Sequence, residues 1–91
     1  MDVRAHIRVS GIVQGVGYRY FVLKQGRRME LTGWVKNVPS GDVELDVEGP
    51  RGLIEELIQL LWTGNPWATV RDVIVHWEKY SGRYTGFDIT Y

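Results

Sequence analysis

The chain predicts an α+β sandwich, an antiparallel sheet with two helices on one face, and three observations predict it. Several stretches alternate apolar and polar residues with period two, two others carry an apolar stripe at helical spacing, and their order is β, α, β, β, α, β with a short strand added at the end.

Val3, Ala5, Ile7 and Val9 alternate with Arg4, His6, Arg8 and Ser10, the pattern of a strand with one buried face. From Tyr18 to about Glu30, Tyr18, Phe21, Val22 and Met29 fall largely on one helical stripe, and Arg27 and Arg28 stand where cations favour a helix C-terminus. Leu31 to Val38 is the second strand, with Gly33 as a point of close backbone approach, and Pro39-Ser40-Gly41-Asp42 is a turn. Val43, Leu45 and Val47 against Glu44, Asp46 and Glu48 form the third strand, whose acidic residues read as a solvated face.

Gly49-Pro50 ends that strand, with Pro50 as the first residue of a second helix and Leu53, Ile54, Leu57, Ile58, Leu60 and Leu61 as its apolar face. Gly64 and Pro66 stop the helix. Val70, Val73, Ile74, Val75 and Trp77 mark a fourth strand, and a polar link from Lys79 to Gly86 leads to Phe87, Ile89 and Tyr91 in a short last one. This is the split-βαβ, ferredoxin-like plan, in which right-handed crossovers bring both helices to one face. Many functions use that plan, so the fold alone decides none.

At 91 residues the chain is read as a single domain, residues 1–91, with one core. Lys plus Arg equals Asp plus Glu at 11 each, which argues against a nucleic-acid partner, since no general basic field exists. The absence of cysteine excludes disulfides, thiolate metal sites and cysteine nucleophiles. No apolar run is long enough to span a bilayer, and Asp2, Arg4, His6 and Arg8 interrupt any signal-like start, so no membrane partner and a cytoplasmic location are expected. A monomer is expected.

The stretch Gly11-Ile12-Val13-Gln14-Gly15-Val16-Gly17-Tyr18-Arg19 joins the first strand to the first helix. Gly15 and Gly17 can adopt the backbone angles that turn successive amides toward one centre, and the helix start adds unpaired amides and the positive end of its dipole. Arg19 in the first turn opposes that dipole by ~0.3–1 kcal/mol unless an anion lies nearby. Its planar fork suits two phosphoryl oxygens. A phosphate-sized anion site accounts for these residues; so does a plain glycine turn beside a solvated arginine. The stretch lacks the Lys-Ser/Thr of a P-loop and the spacing of a dinucleotide fingerprint, so a ligand smaller than a nucleotide is expected.

In Gly33-Trp34-Val35-Lys36-Asn37-Val38-Pro39-Ser40-Gly41, Asn37 falls near the end of the second strand, before the turn. It either approaches the Gly15–Arg19 loop, if the first two strands lie near each other, or bonds local backbone. If the loop holds a phosphoryl group, its transfer needs a positioned water and charge stabilisation, and a carboxylate leaving group needs no general acid. An arginine, a ring of amides and one asparagine then suffice. His6 and His76 lie on strands without ligand spacing, so no metal site is expected, and Trp34, Trp62, Trp67 and Trp77 read as core and loop packing.

Together the two stretches resemble the acylphosphatases, whose Gly-x-Val-Gln-Gly-Val-x-aromatic-Arg signature is similar to Gly11–Arg19 and whose Gly-x-Val-x-Asn run, followed by a glycine-containing turn, is similar to Gly33–Gly41. Val47-Glu48-Gly49-Pro50 and Phe87-x-Ile89-x-Tyr91 extend the resemblance over nearly the whole chain. The resemblance implies hydrolysis of the carboxyl–phosphate bond of small acyl phosphates, carbamoyl phosphate among them, to a carboxylate and inorganic phosphate, without metal or cofactor. By matching positions, Arg19 and the amides of Gly15, Val16, Gly17, Tyr18 and Arg19 would bind the phosphoryl group, and Asn37 would hold the attacking water. Tyr18 stands where the family often has Phe, so the packing should persist with a hydroxyl added. Gly17 occupies a variable position, where its small size adds flexibility.

Two other functions fit the same residues. An anion-binding module would bind phosphate without turnover. A single-strand RNA binder would need aromatic residues and cations on the central strands, where Glu44, Asp46 and Glu48 stand instead. If the last strand ends near the loop, the Tyr91 carboxylate would pair with Arg19 or another cation.

Overall fold

The computed structural model describes residues 1–91. The elements are β1 (Asp2–Ile12), α1 (Tyr18–Arg28), β2 (Thr32–Asn37), β3 (Val43–Pro50), α2 (Arg51–Thr63), β4 (Thr69–Glu78) and β5 (Phe87–Ile89), the order expected from the sequence. They build one sheet in the order β4-β1-β3-β2-β5. β1 pairs antiparallel with β3 and β4, and β2 pairs antiparallel with β3. β5 adds a parallel edge to this antiparallel sheet, with Gly33, Trp34 and Val35 opposite Phe87, Asp88 and Ile89. The register explains the direction: β4 ends at Glu78, level with Arg4, Glu48 and Thr32, so a link that does not double back enters beside β2 from β2's own start.

Ala5, Ile7 and Val9 of β1, Val35 of β2 and Val43, Leu45 and Val47 of β3 form one face of the core, closed by Tyr18 and Val22 of α1 and Ile54, Leu57 and Leu61 of α2. Each fully buried leucine stabilises by roughly 1.5–3 kcal/mol. Gly33 is the expected point of close approach: at φ +140° its added Cβ would stand 1.9 Å from the Asp46 carbonyl oxygen. Pro50 is not the first helical residue. It still pairs with Asp2 at the end of β3, at φ −59° and ψ 131°, so helical geometry begins at Arg51.

The opposite face corrects the expectation of a solvated acidic row. The link after β4 folds over it, and Asp46 and Glu48 are only 3% and 1% exposed. Asp46 Oδ1 accepts from Arg4 Nη1 at 3.2 Å and lies 3.3 Å from His6 Nδ1, while its Oδ2 accepts from the Tyr84 hydroxyl. Tyr84 in turn accepts from Trp34 Nε1 at 3.1 Å. Glu48 Oε2 accepts from the Ser81 amide at 2.6 Å and the Ser81 hydroxyl at 2.7 Å. Burial, the largest single influence, works to raise the Glu48 carboxyl's pKa, but the hydroxyl and amide of Ser81 together with the backbone of Gly82 and Arg83 outweigh it and hold the group below its ordinary value. His6 is therefore one partner in a structural network.

Candidate active site

β1 leaves the sheet at Ile12, and buried Val13 pins the start of the loop to the core. Gly15 and Gly17 both take left-handed angles, at φ +75° and +76°, and a Cβ on either would meet nothing within 4 Å. The backbone conformation, and not crowding, is what requires glycine there. Gly17 is thus more than a flexible variable position, because it is the left-handed residue at which α1 starts.

That helix start has no side-chain cap and no acidic residue in its first turn. Its first backbone bond runs from the Phe21 amide to the Gly17 carbonyl at 3.0 Å, and no protein acceptor meets the amides from Gly15 to Tyr20. A row of unpaired N–H groups at the positive end of a helix dipole favours an anion. Arg19, half-buried beside them, joins no ion pair; its guanidinium carbon lies 5.4 Å from the centroid of the Tyr91 ring. The expected pairing with the Tyr91 carboxylate is replaced by this contact with the ring.

Asn37 closes the site from β2. With Val13, Gly15, Gly17, Tyr18, Arg19 and Tyr20 it lines a cleft of about 160 Å³. Its Oδ1 is buried without a protein partner, so it is not held by the local backbone. A buried acceptor left without a partner costs ~1–3 kcal/mol unless a water or ligand meets it. β1 and β2 are not neighbours in the sheet, since β3 lies between them, and the approach comes from the loop curling over the end of β3.

Gln14 holds that approach. Its Nε2 donates to the Val38 and Asp42 carbonyls, each at 2.8 Å, and so fastens the loop to the β2–β3 turn directly after Asn37. Arg8 braces the same turn, donating to Asp42 Oδ2 at 2.7 Å and Ser40 Oγ at 2.9 Å. The hydrogen bond from Arg8 holds the Asp42 carboxyl below its ordinary range. Sequence reading gave neither residue a role; the signal for Gln14 was a long amide set between the turn glycines. Tyr18 keeps the packing expected of it. Its hydroxyl donates to the Leu61 carbonyl at 2.6 Å, and burial pushes its pKa well up, so it stays a neutral donor.

No carboxylate or imidazole lines the cleft, and no group of three or more His, Asp or Glu side chains is placed to hold a metal ion. The cleft presents unpaired amides, one cation and one amide side chain. Lys36 lies off the cleft, its Nζ 5.1 Å from the centroid of the Trp34 ring.

The acylphosphatase family model matches residues 5–89. An acylphosphatase of Moorella thermoacetica is 47% identical over 91% of this chain and 89% of its own. The acylphosphatase structure from Bacillus subtilis superposes with a TM-score of 0.93 at 36% identity, covering 98% of this chain and 99% of that one. An acylphosphatase structure from Coxiella burnetii gives 0.90 at 42% identity, covering 98% and 93%.

Proposed function

The chain belongs to the acylphosphatase family, and on that premise we propose that the Gly15–Arg19 loop and Asn37 carry its reaction. The protein is an acylphosphatase, acting on small acyl phosphates. In the proposed mechanism the phosphoryl group lies in the cleft, its oxygens accepting from the amides of Gly15, Val16, Gly17, Tyr18 and Arg19 and from the Arg19 guanidinium. These donors are in place before charge develops, so they stabilise the loose transition state without reorganising. Asn37 Oδ1 accepts a hydrogen bond from the attacking water and aims its lone pair at phosphorus. The carboxylate leaves as a weak base, so the reaction needs no general acid, and no metal or cofactor enters it.

The observation that carries this reading is the meeting of unpaired amides, Arg19 and the unpartnered Asn37 Oδ1 at one cleft free of acids. The wider reading is a single acylphosphatase-like domain, monomeric and cytoplasmic, without a nucleic-acid or membrane partner; the balanced charge of 11 Lys plus Arg and 11 Asp plus Glu supports the first exclusion. No helix is long and apolar enough to cross a membrane.

The test is hydrolysis of benzoyl phosphate followed by ultraviolet absorbance with chelator present. Turnover that chelator leaves intact and inorganic phosphate inhibits competitively is expected. Saturable phosphate binding without turnover would instead leave an anion-binding module.

A further inference from the structure

A second hollow, of about 500 Å³, borders the phosphate cleft. It runs from Val16, Gly17 and Tyr20 across α1 to Pro66 and Trp67 between α2 and β4. Gly17 and Tyr20 line both spaces, so the two adjoin at these residues, whereas Asn37 lines only the first. The fold leaves two large aromatic faces uncovered here: Tyr20 is 71% exposed and Trp67 is 78% exposed. Trp67 thereby departs from the packing role expected of it.

Trp67 is held in this position. Its amide donates to Asn65 Oδ1 at 2.9 Å, and the Ala68 amide donates to the Asn65 carbonyl at 3.2 Å, so a turn fixes the backbone that carries the ring. Lys24, one helical turn beyond Tyr20 and on the same side of α1, is the hollow's cation. It joins none of the molecule's ion pairs.

We infer that this hollow is the subsite for the acyl part of the substrate, taking an aromatic or extended apolar acyl group against Trp67 and Tyr20, with a second anionic group on that acyl chain reaching Lys24. The inference rests on the phosphoryl assignment above. In an in-line displacement the leaving group departs on the side away from the water, and the hollow adjoins the cleft where Asn37 does not. An acyl group that outgrows the 160 Å³ cleft would extend past Gly17 and Tyr20.

The experiment compares kcat/KM for acetyl, benzoyl and 4-carboxybenzoyl phosphate in the wild type, Trp67→Ala, Trp67→Phe and Lys24→Met. Trp67→Ala should lower the benzoyl-to-acetyl ratio about tenfold, chiefly through KM, and Trp67→Phe should retain most of it. Lys24→Met should lower the 4-carboxybenzoyl-to-benzoyl ratio about threefold or more. Acetyl and benzoyl phosphate turnover with an unchanged ratio in Trp67→Ala would overturn the subsite while leaving the phosphoryl assignment standing. An unchanged ratio in Lys24→Met would overturn the anionic part of the substrate class. A wild type that turns over none of the three would overturn the phosphoryl assignment itself.

Discussion

The open face of the sheet and the Gly15–Arg19 loop are both rich in polar groups, and they treat those groups in opposite ways. On the open face Asp46 is met by Arg4, His6 and Tyr84, and Glu48 by Ser81, beneath the link that follows β4, although Glu48 Oε1 and Arg4 Nε stay buried there without partners. In the loop the amides from Gly15 to Tyr20, the Arg19 guanidinium and Asn37 Oδ1 have no protein hydrogen-bond or ion-pair partner. Paired buried groups fix a structure, and losing one of them exposes its partners to a cost. Unpaired groups held in place add little to stability and are free to meet a ligand. The charge of a side chain does not separate the two regions: Arg4, Asp46 and Glu48 each keep at least one protein hydrogen bond, whereas Arg19 and Asn37 Oδ1 have none.

That difference predicts which variants lose rate and which lose stability. Arg19→Ala should lower kcat/KM for benzoyl phosphate by about 10³ and weaken phosphate inhibition, because a charged donor to the phosphoryl oxygens is gone. Its unfolding free energy should stay within about 0.5 kcal/mol of wild type, since the Tyr91 ring is the only partner described for the guanidinium. Asp46→Ala is the reverse case. Urea unfolding should show a loss of roughly 2–4 kcal/mol, as Arg4, His6 and Tyr84 lose their shared acceptor, while the folded fraction keeps wild-type kcat.

Gln14→Ala sharpens the boundary, because Gln14 is a paired group that serves the unpaired ones. The Val38 and Asp42 carbonyls each retain a backbone partner, so the stability cost should be about 1 kcal/mol. With the loop less firmly seated beside Asn37, kcat should fall about tenfold, with KM for benzoyl phosphate moving less. An unchanged kcat would show that the loop holds its place without that side chain.

The legible parts of the molecule were those governed by local rules. Period-two and helical patterns placed every element, and Gly15 and Gly17 announced a left-handed turn because few other residues adopt one. The resemblance pointed to Arg19 and Asn37, and the fold brings both to one cleft. Asp46 and Glu48 were illegible because alternation along β3 reports only which face a residue takes, not whether a distant link covers it. Residues 79–86 reach that face across more than thirty positions of sequence. The parallel direction of β5 depends on the same link. Gln14 and Tyr18 were readable as residue types but not as partners of Val38, Asp42 and Leu61, which lie far away in the chain. Trp67 misled for the opposite reason: a large apolar residue predicts burial, and here the turn at Asn65 holds it out.

The most direct test is Asn37→Ala, followed by urea unfolding and benzoyl phosphate turnover on the same preparation. The orphaned Oδ1 predicts that kcat falls by about 10²–10³ with KM little changed, while stability stays level or rises, since a buried acceptor without a protein partner has been removed. Near-wild-type kcat combined with a loss of about 1 kcal/mol or more would place Asn37 among the structural groups and contradict its role with the attacking water.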